Sequence, residues 1–288
     1  MPKVSIITIC YNEPDLEKTC ESIVNQTWQD FEWIVVDGGS NQETIDIFEK
    51  YKARIDEFIS ESDNGRYNAM NKGIKLAQGE YLNFLNTGDY YFYNDALKDV
   101  FENKKYNADV LYGNECFVRD NKYQNIIYPM PRKITKEYLF YSCLRDQASF
   151  IKRDIFNKYG LYNENNIVVS DYEKWLQLLE NNATFLYLPY IISNFNLKGV
   201  SQTYKHQTLA NKERQRIINN YFSKDEINIL KRKNVFSTKE KYSFIENIFS
   251  IKNSITQKHK IITIFGCHLK IKRGISGGLK KWKRLYYL

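Results

Sequence analysis

The sequence predicts an α/β fold built on a mixed, mainly parallel sheet, and two stretches carry that prediction. In the first, a β-branched run, Val4-Ser5-Ile6-Ile7-Thr8-Ile9, is followed by an amphipathic helix and a second apolar run, Trp33-Ile34-Val35-Val36, without a hairpin signal between them. Strand, helix and strand in that order imply a right-handed parallel crossover. In the second, between Ser60 and Asp89, Tyr67, Met70, Ile74 and Ala77 recur at steps of three and four, so a helix puts them in one apolar stripe. Gly79 stops that helix, and the apolar run Tyr81 to Leu85 forms a buried strand that delivers Asn86-Thr87-Gly88-Asp89 at its carboxyl end. In open α/β sheets that end is where ligands bind.

Composition narrows the class. At 288 residues, with 43% hydrophobic and 15% aromatic content, the chain can bury a large core and is not generally disordered. Five cysteines, an odd number without C-x-x-C spacing, fit reduced thiols better than a disulfide framework or a zinc site. No signal peptide precedes Val4 and no apolar run approaches the roughly 20 residues of a membrane-spanning helix, so a cytoplasmic protein, soluble or peripheral, is expected. The net charge of +8 is uneven: residues 221 to 288 hold 16 Lys/Arg against 4 Asp/Glu, which leaves residues 1 to 220 net acidic. Basicity confined to a tail argues against a nucleic-acid binder.

Taken in order, Pro14 suits the first turn of a helix that turns Leu16, Cys20, Ile23 and Val24 inward. The second strand runs into Asp37-Gly38-Gly39, where the acid is either a turn residue or a ligand contact to which glycine backbone gives close access. A helix over about Gln42 to Lys52 and a short strand, Phe58-Ile59-Ser60, lead to Asp63, either a helix cap or a ligand group. A helix from Asn94 to about Asn103, a strand from Ala108 to Gly113 and a hairpin of Cys116–Arg119 with Tyr123–Tyr128 follow. Ser170 and Glu173 have the spacing of a capping box, ahead of an inward stripe of Tyr172, Trp175, Leu176 and Leu179. Asp171 falls in that first helical turn, a place for a surface acid or for a base. Strands Thr184–Leu188 and Ile191–Phe195 close the sheet; helices Leu209–Phe222 and Phe236–Ile251 and a strand or hairpin, His259–Gly266 with Leu269–Arg273, complete the chain. Neither early strand is followed by G-x-G-x-x-G or G-x-x-x-x-G-K-[ST], which disfavours dinucleotide and P-loop chemistry.

Asn71-Lys72-Gly73 through Ala77, Gly79-Glu80-Tyr81 and Asn86 to Asp89 stand in the order of motifs found in the inverting GT-A glycosyltransferases of family two, and the chain resembles that family over roughly Val4 to Ser201. The resemblance implies a GT-A domain over residues 1–205 and a basic, mostly helical extension with a short hairpin over 206–288. It implies inverting transfer of a sugar from a nucleotide-diphosphate sugar, a UDP-sugar, to a hydroxyl of a glycan or lipid-linked glycan in cell-surface polysaccharide assembly. By the same resemblance Thr8, Tyr11, Asn12, Glu13 and Asp37 hold the donor nucleoside. Asp63 and Arg66 face its base and ribose, Asn71 the interior of that site, and Asn86 and Thr87 contact the nucleotide sugar. Asp89 is the metal ligand, for Mn2+ or Mg2+, and Asp171 the catalytic base; Lys198, Ser201 and His206 are candidate phosphate or metal contacts.

Three departures stand out. Asn86 and Gly88 occupy positions where the family commonly has carboxylates, Asp146 replaces a frequent His, and Ser170 replaces an acid before Asp171. Lys280 to Tyr287 mixes cations with aromatics, either a solvated end or a means of docking on an anionic membrane surface. Two other readings remain: a sugar-phosphate nucleotidyltransferase, which would require a basic glycine-rich loop absent from this amino terminus, and a non-catalytic binding module, which would not need both Asp89 and Asp171.

Overall fold

A computed structural model describes residues 1–118, 126–197, 204–233, 249–253, 259–264 and 267–272. The chain divides into two compact units, Met1–Phe222 and Ser223–Leu288. Lys198, Ser201 and the Lys280–Tyr287 cluster lie outside the described residues.

The first unit opens β1 (Val4–Cys10), α1 (Leu16–Val24), β2 (Phe31–Asp37), α2 (Gln42–Tyr51), β3 (Glu57–Ser60), α3 (Arg66–Leu76) and β4 (Tyr81–Phe84). It continues with β5 (Tyr90–Tyr91), α4 (Ala96–Phe101), β6 (Val110–Val118), β7 (Ile126–Tyr128), α5 (Lys136–Tyr141), β8 (Ser149–Lys152), α6 (Arg153–Tyr159), α7 (Ser170–Glu180), β9 (Phe185–Asn196) and α8 (Tyr204–Tyr221). One sheet runs β3-β2-β1-β4-β8-β6-β9-β5, with β7 hydrogen-bonded to β6. The first four strands are parallel, β8 runs antiparallel to both β4 and β6, and β9 is parallel to β6 across a bulge near Asn114. Every residue of β1 and β2 is buried, as expected for strands covered on both faces.

The helical stripes hold with small rotations. In α1 the buried set is Leu16, Thr19, Cys20 and Ile23, with Val24 only partly covered. Helix α3 buries Tyr67, Met70 and Ile74, and Ala77 is its buried C-cap. In α7 it is Leu178, and not Leu179, that joins Tyr172, Trp175 and Leu176. The capping box expected there does not form. Val169 is the N-cap and Ser170 lies inside the helix, while Glu173 accepts from Asn163 Nδ2 at 2.9 Å and from Asn166 Nδ2 at 2.5 Å.

Gly79 is needed for close approach, because a Cβ there would stand 2.5 Å from the Ser5 backbone nitrogen. Its own amide donates to Glu32 Oε1 at 2.9 Å, which also accepts from Ser5 Oγ and the Gln78 amide, each at 2.5 Å. One buried carboxylate thereby ties together β1, β2 and the turn into β4.

In the second unit residues 224–233 are helical, and β10 (Phe249–Asn253), β11 (His259–Ile264) and β12 (Cys267–Lys272) form an antiparallel sheet in that order. Phe249 to Ile251, placed by sequence in a helix, pair instead with Ile264 to Ile262 as a strand; cross-strand pairing overrides local propensity. Residues 236–248 of that expected helix lie outside the described residues. Among the described residues no helix is long and apolar enough to cross a membrane.

Candidate active site

The strand order locates the site. From β1 the chain winds outward through β2 and β3, then returns to the opposite side of β1 as β4, so the carboxyl ends of β1 and β4 flank a topological switch point. A cavity of about 420 Å³ opens there. Cys10, Tyr11 and Glu13 line it from β1, Asn86 to Asp89 from β4, and Asp63 and Arg66 from the approach to α3. The opposite wall comes from the second half of the unit: Ile167 and Val168 ahead of α7, Phe195 and Asn196 of β9, and His206 of α8. Gly88, at φ +93°, makes the turn after β4, and the Asp89 amide closes it onto the Asn86 carbonyl at 3.1 Å.

The residues expected to hold a nucleoside fall into three placements: facing the cavity, buried, or, for Asn12 alone, fastening two loops. Tyr11, Glu13, Asp63, Arg66, Asn86 and Thr87 face the cavity. Thr8, Asp37 and Asn71 are buried among structural partners. Thr8 Oγ1 accepts from Trp33 Nε1 at 3.1 Å, and the Asn71 amide group bonds to Tyr162 backbone and to Glu164. Asp37 Oδ2 accepts from the Gly39 and Ser40 amides and from Ser60 Oγ, while its buried Oδ1 has no partner among the described residues. Asn12, at φ +50°, fastens the loop after β1 to the loop after β2: its amide donates to Ser40 Oγ at 2.9 Å and its Oδ1 accepts from the Asn41 amide at 2.8 Å.

Charge concentrates on the side facing the second half. Burial pushes the Asp89 carboxyl up to about 7, against the Asn196 amide, which donates to Oδ1 at 2.9 Å and stabilises the ionised form. Burial likewise pushes Glu115 up to about 7, opposed by Arg145, whose Nε lies 3.3 Å from Oε1. Asp146, 6% exposed, is driven well above the carboxylate range by burial and then by the neighbouring Asp171 charge. Arg66 is the counter-ion of the aspartates: burial opposes its charge, yet Tyr67, Asp171, Asp146 and Asp89 hold the guanidinium above its ordinary value. Its buried Nε has no partner among the described residues. Asp171 is partly exposed on the first turn of α7, and its Oδ1 accepts from the Tyr67 hydroxyl at 2.9 Å. Burial pushes the Cys10 thiol up to about 11, so it is no nucleophile at neutral pH.

Among the described residues no three His, Cys, Asp or Glu side chains cluster as metal ligands. The cavity nevertheless carries an ionisable carboxylate, Asp89, close in sequence to a buried amide oxygen, Asn86 Oδ1, that has no partner among the described residues. Two hard oxygens fit a divalent cation whose remaining ligands come from substrate and water.

Sequence reasoning passed over Arg145, Glu115 and Tyr67 as site residues. Glu115 and Arg145 meet only because β6 pairs antiparallel with β8, a register that no local pattern announces. Tyr67 was legible as a core position in the α3 stripe, but its hydroxyl contact to Asp171 spans 104 residues.

The profile of glycosyl transferase family 2 matches residues 5–160. A PGL/p-HBAD biosynthesis glycosyltransferase of Mycobacterium bovis is 30% identical over 210 residues, covering 70% of this chain and 80% of that protein. Among solved structures, Staphylococcus aureus TarS 1-349 in complex with UDP-GlcNAc superposes with a TM-score of 0.57 at 19% identity, over 75% of this chain and 67% of TarS 1-349. The chain spans 42% of the longer TarS structure. The mannosyltransferase PcManGT of Pyrobaculum calidifontis, in complex with GDP-Man and Mn2+, gives 0.51 at 16% identity over 67% of this chain and 56% of that one. These likenesses establish the GT-A fold that the motif order implied.

Proposed function

Given that the chain belongs to glycosyl transferase family 2 and is a glycosyltransferase, we propose that it moves a sugar, with inversion, from a UDP-sugar to a hydroxyl of a glycan or lipid-linked glycan in cell-surface polysaccharide assembly. The observation that carries this reading is that Arg66 and Asp89 line one cavity at the switch point, with Asp171 tied to the helix of Arg66 through Tyr67. The donor complexes of TarS and PcManGT, on the same fold, support a nucleotide sugar as donor.

Tyr11, Asp63 and Arg66, on the β1 and α3 side of the cavity, would receive the nucleoside. Asp89 and the Asn86 amide oxygen would hold a divalent cation, Mn2+ or Mg2+, which when bound offsets the negative charge developing on the leaving diphosphate. Asp171, with the Tyr67 hydroxyl 2.9 Å from Oδ1, accepts the proton of the attacking acceptor hydroxyl at a carboxylate oxygen. Inversion follows because the hydroxyl attacks the anomeric carbon opposite the leaving diphosphate. The basic tail supports docking on the anionic inner face of the cell membrane, with roughly 1 kcal/mol from each nearby cation.

The test is nucleoside diphosphate release from a panel of UDP-, GDP- and dTDP-sugars with manganese, magnesium or EDTA. We expect turnover of one donor that requires the cation and is lost in Asp89→Ala. Asp171→Asn should lower turnover by about 10³-fold while leaving donor affinity by calorimetry unchanged. Full turnover in that variant would remove the base assignment. A chain ending at Phe222 should lose partitioning onto anionic vesicles while keeping turnover.

A further inference from the structure

Helix α8 reaches the active-site face through His206 of the cavity wall and through its single acidic residue. Glu213 is 6% exposed, and its carboxylate accepts from three consecutive backbone amides: Ile167 at 2.8 Å on Oε1, and Val168 at 3.0 Å and Val169 at 3.2 Å on Oε2. Ile167 and Val168 are cavity wall, and Asp171 lies two residues beyond Val169. The Tyr67 hydroxyl stands 2.7 Å from the Val168 carbonyl oxygen and 2.9 Å from Asp171 Oδ1, so one phenolic proton faces two acceptors. The Val168 carbonyl and the Val169 amide belong to one peptide unit. A charge-assisted bond from that amide to Glu213 polarises the unit and makes its carbonyl the stronger acceptor.

We infer that Glu213 is a positioning residue for sugar transfer. It clasps residues 167–169, fixes the entry into α7, and draws the Tyr67 proton toward Val168, which leaves Asp171 Oδ1 free to take the proton of the acceptor hydroxyl. The inference rests on the reading of Asp171 as the base. Helix α8 is docked independently of this contact: Arg214 Nη2 donates to the Leu139 and Ser142 carbonyls, each at 2.8 Å, and its guanidinium lies 4.0 Å from the Tyr172 ring centroid. Removing the Glu213 charge therefore leaves the helix other anchors.

The experiment uses the full chain, the donor singled out by the panel above, and Glu213→Gln, which keeps the shape but turns an amide group toward backbone donors. Expected are a kcat lower by roughly 10- to 100-fold per folded molecule, donor affinity within about twofold of the parent, and faster hydrogen exchange of the Val168 and Val169 amides. In a Tyr67→Phe background the same substitution should cost less, because the contested proton is gone. Unchanged kcat in Glu213→Gln, or a loss accounted for entirely by a smaller folded fraction or weaker donor binding, would overturn the inference. Unprotected Val168 and Val169 amides in the parent chain would overturn it without any activity measurement. The two readings separate in an Asp171→Asn background. If Asp171 is the base, Glu213→Gln adds little there. If Asp171→Asn keeps full turnover and Glu213→Gln still lowers it, the base assignment falls and the clasp stands.

Discussion

The two halves of the sheet hold their buried carboxylates in opposite ways. In the parallel half, Glu32 accepts from three donors at 2.5 to 2.9 Å, and Asp37 Oδ2 from three more at 2.7 to 3.1 Å. Toward the mixed half, Asp89 meets one backbone amide, Asp146 a Tyr162 hydroxyl at 3.5 Å, and Glu115 the Gln147 side-chain Nε2 at 3.4 Å and Arg145. The scaffold carboxylates gather three donors each on one oxygen, Glu32 Oε1 and Asp37 Oδ2, while Asp37 Oδ1 stays without a partner among the described residues. Under-donated ones keep capacity for a substrate, a proton or a cation, and burial shifts them upward until one arrives. One half builds the crevice and the other stores its charge.

Substitutions in each half can break that division. The largest effect should come from Gly79→Ala, which drives a methyl against the Ser5 backbone beside the Glu32 hub and should lower stability by about 3 kcal/mol in urea titrations. A cost near zero would mean that the Ser5 backbone and the Glu32 hub yield to the methyl and do not hold the parallel half. Next is Asp89→Asn. The Asp89 pKa of about 7 lies above the unfolded value of about 4, so the folded state binds the extra proton between them and stability falls as pH rises from about 4 to 7. Without divalent ions, Asp89→Asn should therefore be more stable than the parent at pH 8 by about 2 kcal/mol, with little difference at pH 4. Glu115, shifted in the same direction, should retain part of the slope. Smallest is Tyr11→Ala. The ring is 67% exposed at the cavity edge, so stability should not change while donor affinity drops about tenfold by calorimetry, roughly the worth of one aromatic contact.

Legibility follows the same division. Val4 to Ile9, Trp33 to Val36 and the α3 stripe could be read directly, because strands buried on both faces and helices of three turns leave strong local patterns. The Ser170 box was misread because its spacing is right but Ser170 sits inside the helix; the preceding amides take their acceptor from Glu213, 44 to 46 residues later in the chain. Helices α5 and α6, of 6 and 7 residues, are too short to show a period. Asp89 and Asp171 were visible as motif positions, but their partners Asn196 and Tyr67 follow from tertiary contact alone.

The anchoring of α8 also bears on how this enzyme can be recombined with its relatives. The helix carries His206 of the cavity wall, the Glu213 clasp and the Arg214 anchor, and it ends one residue before the first compact unit does, at Phe222. A chimaera joined after Phe222 exchanges carboxyl-terminal regions while keeping the native supports of residues 167–169. One joined ahead of Tyr204 must import a helix whose acid and arginine fall at the same helical phase.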